Sequence, residues 1–229
     1  MPTARHALRI GAAAASLAAL AVMPQASAAN SDATADAAAV YTDNMVPVGP
    51  DGPGRWGCYS TSAKYGGNIC RTDNAKVYYY MDSYKKYKLE APDRAAVKET
   101  MRDEFAPTDL VIKYDSTPVF KGHGETDIIY QEGSDNLSEN AAGMTWCDDG
   151  GDSNLGKWEC DQQYIRIRGN GVYDISIACH ETGHAVGLVH GDEAIPRKNP
   201  EDPKLGCMIR KGYDYDLGAN NTAHINRTY

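Results

Sequence analysis

The chain has 229 residues, a formal net charge of -8 and six cysteines. That length suits one domain of ordinary size, and an apolar content of 42% excludes gross disorder. The acidic balance speaks against non-specific binding to nucleic acid or anionic membrane, since both carry phosphate charge.

Arg5 and Arg9 give the start of the chain positive charge, and an Ala/Leu-rich apolar run follows from Ile10 to Met23. Ala26-Ser27-Ala28 then sets small residues where a signal peptidase inspects them. These features predict a secretory signal over residues 1–28. The run is too short for a bilayer core, which needs about 20 residues. Residues 29–57 are rich in Ala, Asp, Gly and Pro without periodicity, which predicts a linker or short propeptide. Folded structure is expected from about Cys58, so the domain is read as residues 58–229. No second apolar stretch could span a membrane, so the mature chain is expected to be soluble, extracellular and monomeric.

All six cysteines lie beyond the leader, and an even count in an exported chain predicts three disulfides. Local loop closure favours Cys58–Cys70 and Cys147–Cys160, which leaves Cys179–Cys207. A cysteine-ligated zinc is disfavoured because no pair has the C-x2-C spacing.

Lys76 to Asp82 carries Val77 and three tyrosines, a β-favouring run. A helix follows, with Pro92 and Asp93 in its first turn and Val97, Met101 and Phe105 on one face; Pro107 closes it. Leu110–Tyr114 and Thr126–Tyr130 read as short strands. Gln163–Arg168 alternates, with Ile165 and Ile167 on one face and Arg166 and Arg168 on the other. Strand, helix and strands in this order predict a mostly parallel sheet with helices packed against it. The tyrosines from Tyr78 to Tyr87 are explained by strand propensity without a sugar-binding face.

Residues 180–191 read His-Glu-Thr-Gly-His-Ala-Val-Gly-Leu-Val-His-Gly. Asp174 offers an N-cap, and Ile175, Ile177 and Ala178 begin a helix that carries the motif. Four residues advance a helix by slightly more than one turn, so His180 and His184 share a face and can ligate one cation. Glu181 points to the adjoining sector, within reach of a metal-bound water. On a straight helix His190 would lie about 80° off and roughly 15 Å along the axis from His180. Gly187 can leave the helix through a left-handed conformation and swing His190 back as a third ligand. Three histidines, a glutamate and a glycine at set spacings, in a chain with six histidines, form a specific pattern.

On those five positions the sequence resembles the metzincin clan of zinc endopeptidases, whose signature is H-E-x-x-H-x-x-G-x-x-H followed by a methionine-containing turn. Within the clan it looks most like the matrixin-like and small secreted bacterial enzymes. The resemblance spans Lys76 to Tyr229, with only the signature specific. It implies an α+β, zincin-like fold: a twisted, mostly parallel five-stranded sheet with an antiparallel edge strand, packed helices and an active-site helix. It implies one catalytic Zn2+ held by His180, His184 and His190, with Glu181 as general base toward a metal-activated water. The clan's Met-turn maps onto Met208, whose thioether would form a packing floor beneath the imidazoles. If so, Cys179 and Cys207 are natural neighbours, and their bridge would staple the ligand helix to that floor. Substrates would be proteins or peptides lying along an edge strand, here Gly143 to Trp146.

Departures from the clan's pattern matter too. Some members carry a tyrosine two residues after the methionine; here it is Arg210. Tyr213 or Tyr215 could line a specificity pocket. Asp192 is a weaker ligand candidate than His190, and Cys58 is a poor counterpart of a zymogen thiol. Asp148, Asp149 and Asp152 could bind Ca2+, although a solvated acidic loop explains them better. His123 and His224 are expected at the surface. Asn136, Asn220 and Asn226 fit a glycosylation pattern. Competing readings are a zinc-binding module without catalysis, which has no use for Glu181, and a redox protein, which lacks a C-x-x-C pair.

Overall fold

The computed structural model describes residues 41–49, 58, 69–122, 124–148, 155–211 and 216–229. The expected signal over 1–28, most of the stretch 29–57, His123, Asp149, Asp152, Tyr213 and Tyr215 lie outside the described residues.

Strand β1 (Arg71–Thr72) precedes β2 (Lys76–Met81), helix α1 (Ala91–Thr100), β3 (Val111–Tyr114) and β4 (Ile128–Glu132). Then come β5 (Gly143–Cys147), β6 (Glu159–Cys160), β7 (Gln163–Ile167), α2 (Ile175–Ala185) and α3 (Ala219–Thr228). Five strands form one sheet in the order β3-β2-β4-β7-β5. Every pairing is parallel except β5 with β7, which is antiparallel and places β5 at an edge. The molecule therefore has the mostly parallel sheet that the strand–helix order predicts, with the five strands and antiparallel edge that the resemblance implies. β1 and β6 pair separately as a short parallel ribbon.

Strand periodicity builds the core. In β2, Val77, Tyr79 and Met81 alternate inward while Tyr78 and Tyr80 face outward. Central β4 is buried at Ile128, Ile129 and Tyr130, as expected of a strand covered on both faces. Helix α1 starts at the Glu90 N-cap, whose backbone N–H donates to Asp93 Oδ2 at 3.1 Å, with Pro92 in the first turn. It does not continue as an α-helix to Pro107. A π turn takes over from Met101 to Phe105, marked by Ala106 N donating to Met101 O at 2.9 Å. The spacing of four between Val97, Met101 and Phe105 drifts about 40° per step on a 3.6-residue helix. A wider turn absorbs that drift and keeps Met101 and Phe105 buried.

All three disulfides occur as expected: Cys58–Cys70, Cys147–Cys160 and Cys179–Cys207. Packed chain begins earlier than Cys58, however. Met45, Val46 and Val48 are buried, and the segment forms bridges from Asp43 to Ile195 and from Met45 to Leu188. His224 is likewise not a surface residue: it is 5% exposed, with Nε2 2.7 Å from Thr42 O. Asn220, also buried, has its side chain in hydrogen bonds and is closed to glycosylation. Arg166, expected to face away from Ile165 and Ile167, is nevertheless buried, with Nη2 2.6 Å from Gln131 Oε1. No helix among the described residues is long and apolar enough to cross a membrane.

One buried carboxyl gives the fold a pH dependence. Asp127 accepts a hydrogen bond from Tyr78 N at 2.7 Å at the start of the sheet. Burial pushes its pKa up to about 7, against the pull of backbone hydrogen bonds from Tyr78 and its own residue. The folded chain therefore holds this proton more tightly than the unfolded chain does. The contribution of Asp127 to stability is full below about pH 4 and is lost as pH rises to about 7. Asp127→Asn keeps an acceptor for Tyr78 and should remove that loss. The expected gain is on the order of 2–4 kcal/mol at pH 8 and little at pH 4, read from urea unfolding at both pH values.

Candidate metal centre

Helix α2 carries the motif, as its spacing predicts. Its N-cap Asp174 accepts from Ile177 N at 3.0 Å and Ser176 Oγ at 2.7 Å, which fixes where the helix begins. It ends at Ala185, and the chain then turns through Gly187 with φ of 99°. A Cβ at this glycine would also lie 2.8 Å from Arg71 Cβ and 3.0 Å from Met45 Sδ. Left-handed backbone and close packing both require glycine here.

The turn brings His190 back to the helix. Its Nε2 lies 3.1 Å from His180 Nε2, which in turn lies 3.2 Å from His184 Nε2. Each ring is oriented through its other nitrogen. His180 Nδ1 sits 2.7 Å from Cys207 O, His184 Nδ1 2.7 Å from Leu188 O, and His190 Nδ1 3.1 Å from Glu193 Oε2. With Nδ1–H donating to these acceptors, three Nε2 lone pairs converge on one point. Such a convergence is repulsive unless a cation sits between them. A tetrahedral zinc with Zn–N of 2.0–2.1 Å holds its ligand nitrogens about 3.3–3.4 Å apart, close to the spacings seen. The donor set fits zinc. Burial pulls His180 down to about 4, with the neighbouring His190 adding to the effect, and His184 is lowered for the same reason. These imidazoles are neutral and ready to ligate at neutral pH.

Glu181 is 5% exposed and stands beside the cluster. Burial pushes its pKa up to about 7, opposed by a hydrogen bond from Thr145. Thr145 Oγ1 lies 2.7 Å from Glu181 Oε2 and 2.9 Å from Glu181 O, linking β5 to the helix. Met208 is fully buried, and its sulfur fills the place where a Cβ on Gly183 would be. The methionine thus packs against the helix backbone between His180 and His184. The Cys179–Cys207 bridge joins the two segments, with Cα atoms 5.9 Å apart.

A cleft of about 510 Å³ runs along the free edge of β5, lined among others by Gly143, Met144, Ile177, Ile209 and Arg210. Arg210 Nη1 pairs with Asp192 Oδ2 at 2.9 Å; Asp192 is not part of the three-histidine group but lies with Glu193 beside His190. No metal-sized cluster among the described residues includes Asp148, which is exposed, and a calcium site there gains no support.

The sequence reading missed Gly183, Thr145 and Glu193. Glu193 had a signal, standing three residues after His190 at the spacing of a capping box, which the structure forms. Thr145 had none, because its tie to Glu181 spans 36 positions.

Comparison with known proteins concerns part of the chain. Residues 119–200 match the family model of Astacin (Peptidase family M12A). A search of curated proteins returns no match. Among solved structures the chain is similar to high choriolytic enzyme 1, a hatching enzyme zinc-protease from Oryzias latipes (medaka fish). Identity there is 19% and the TM-score is 0.32, with 59% of this chain and 54% of that one covered. The chain thus spans about half the length of that relative. The matched stretch ends just past the histidine motif.

Proposed function

We propose that the protein is a secreted, monomeric zinc endopeptidase whose metal is held by His180, His184 and His190, with Glu181 as general base. The observation that carries this is the approach of His184 Nε2 and His190 Nε2 to His180 Nε2, at 3.2 and 3.1 Å, while every Nδ1 is anchored elsewhere. Zinc bound there supplies Lewis-acid polarisation of the scissile carbonyl and acidifies a water. Glu181 takes the proton of the attacking water and delivers it to the leaving amine. A pKa raised toward neutrality suits both halves of that exchange. Thr145 holds the carboxylate in place. An extended peptide lies in the cleft and adds to the free edge of β5 through backbone hydrogen bonds.

Secretion is supported by three disulfides, which persist in oxidising compartments, together with the leader expected over residues 1–28. The catalytic domain is taken as residues 58–229 together with the docked segment that precedes it. Kinship with the matrixin-like and small secreted bacterial branches is part of the proposal, resting on the resemblance of the signature, while the family model matched over residues 119–200 is that of Astacin.

Purified mature protein is expected to hold one zinc per chain and to cleave casein. A chelator should abolish cleavage, and added zinc should restore it. Zinc-loaded protein that cleaves no protein or peptide would turn the reading toward a metal-binding module.

A further inference from the structure

Residues 41–48 do more than precede the domain. They run as a strap along the segment that carries His190. Val189 N donates to Asn44 O at 2.9 Å, Val46 N donates to Gly187 O at 2.9 Å, and Asp43 and Ile195 exchange two backbone bonds at 2.8 and 2.9 Å. The strap therefore pairs with both sides of His190, from Gly187 to Ile195.

At its centre is Asn44, wholly buried. Its Nδ2 donates to Val189 O at 3.1 Å and to Asn221 Oδ1 at 2.9 Å, and its Oδ1 accepts from Asn220 Nδ2 at 2.9 Å. Asn221 Nδ2 then donates to Leu205 O at 2.7 Å and Leu217 O at 2.6 Å. Leu205 lies two residues before Cys207, whose carbonyl holds the His180 ring. One chain of buried amides thus connects the residue preceding His190 to the turn that floors the site. Both donor hydrogens of Asn44 and its carbonyl oxygen are used, so no other side chain of similar size reproduces the set.

We propose that Asn44 is a positioning residue of the metal centre, and that the strap 41–48 is a permanent part of the mature protein. The inference rests on the zinc reading of the three histidines. Without the strap, the loop from Gly187 to Ile195 loses the backbone bonds that set the height of the His190 ring. Asn44 then sets that loop against the Met208 turn. Processing of the chain must accordingly stop before Tyr41.

The test measures zinc affinity by chelator competition, with the cobalt-substituted absorption spectrum as a second readout. Asn44→Asp is isosteric but has no donor for Val189 O or Asn221 Oδ1. It is expected to weaken zinc binding about 10–100-fold and to alter the cobalt spectrum. Asn226→Ala, which removes a remote hydrogen bond to Asp109 N, should leave both unchanged. Wild-type protein that binds no zinc would overturn the metal reading itself. Wild type that binds zinc, with Asn44→Asp binding as tightly, would overturn this inference alone. Should Asn44→Asp fail to fold, the N-terminus of the secreted wild type decides. A start at or before Tyr41 upholds the strap, and a start after Tyr41 overturns it.

Discussion

Glu181→Gln is expected to keep its zinc and to lose about 10²–10⁴-fold in kcat/KM, the range in which general acid–base catalysis contributes. Glutamine is nearly isosteric and can still accept from Thr145, so the cleft and the three imidazoles should stay as they are. What it lacks is a proton-accepting oxygen. Zinc content by atomic absorption and cleavage of a quenched peptide separate the two effects. A variant that retains zinc and cleaves at near wild-type rate would remove Glu181 from the mechanism. Loss of zinc along with activity would assign the carboxylate a structural task instead.

Gly187→Ala is expected to destabilise the chain by about 2–5 kcal/mol and to weaken zinc binding as well. Two costs combine. The native φ of 99° is strained for any residue with a Cβ, and that Cβ would press against Arg71, Met45 and Val46. The second contact falls on the strap, so relief of the strain displaces the loop that carries His190. Urea unfolding of the metal-free protein reads the first effect, and chelator competition the second. An unchanged unfolding midpoint would show that the turn can be made without glycine.

How much of the site was legible in the sequence follows from the range of each interaction. His180 and His184 share a helix face because of a spacing of four, and Gly187 marks the exit from that helix. Both are local rules. The two short-range disulfides were also readable, since nearby cysteines close small loops. The third followed by elimination, and independently from placing Met208 under the imidazoles. Errors arose where distant segments meet. His224 looked like a surface histidine because nothing in its neighbourhood reveals that Thr42 will cover it. The segment 41–49 looked like linker because its composition lacks periodicity, and its partners Gly187, Leu188, Val189 and Ile195 lie far along the chain.

The amino-acid sequence alone determined the ligand spacing, the bend at Gly187, the disulfide framework and the strand–helix order that yields a mostly parallel sheet. Those features depend on helical pitch, backbone sterics and short loop closure, each a property of a few consecutive residues. Only the tertiary structure decided that Thr145 grips Glu181, that Glu193 orients His190, and that Asn44 ties the third histidine to the floor of the site. Each of these needs two surfaces brought together by the burial of the core, and no local pattern encodes which surfaces will meet.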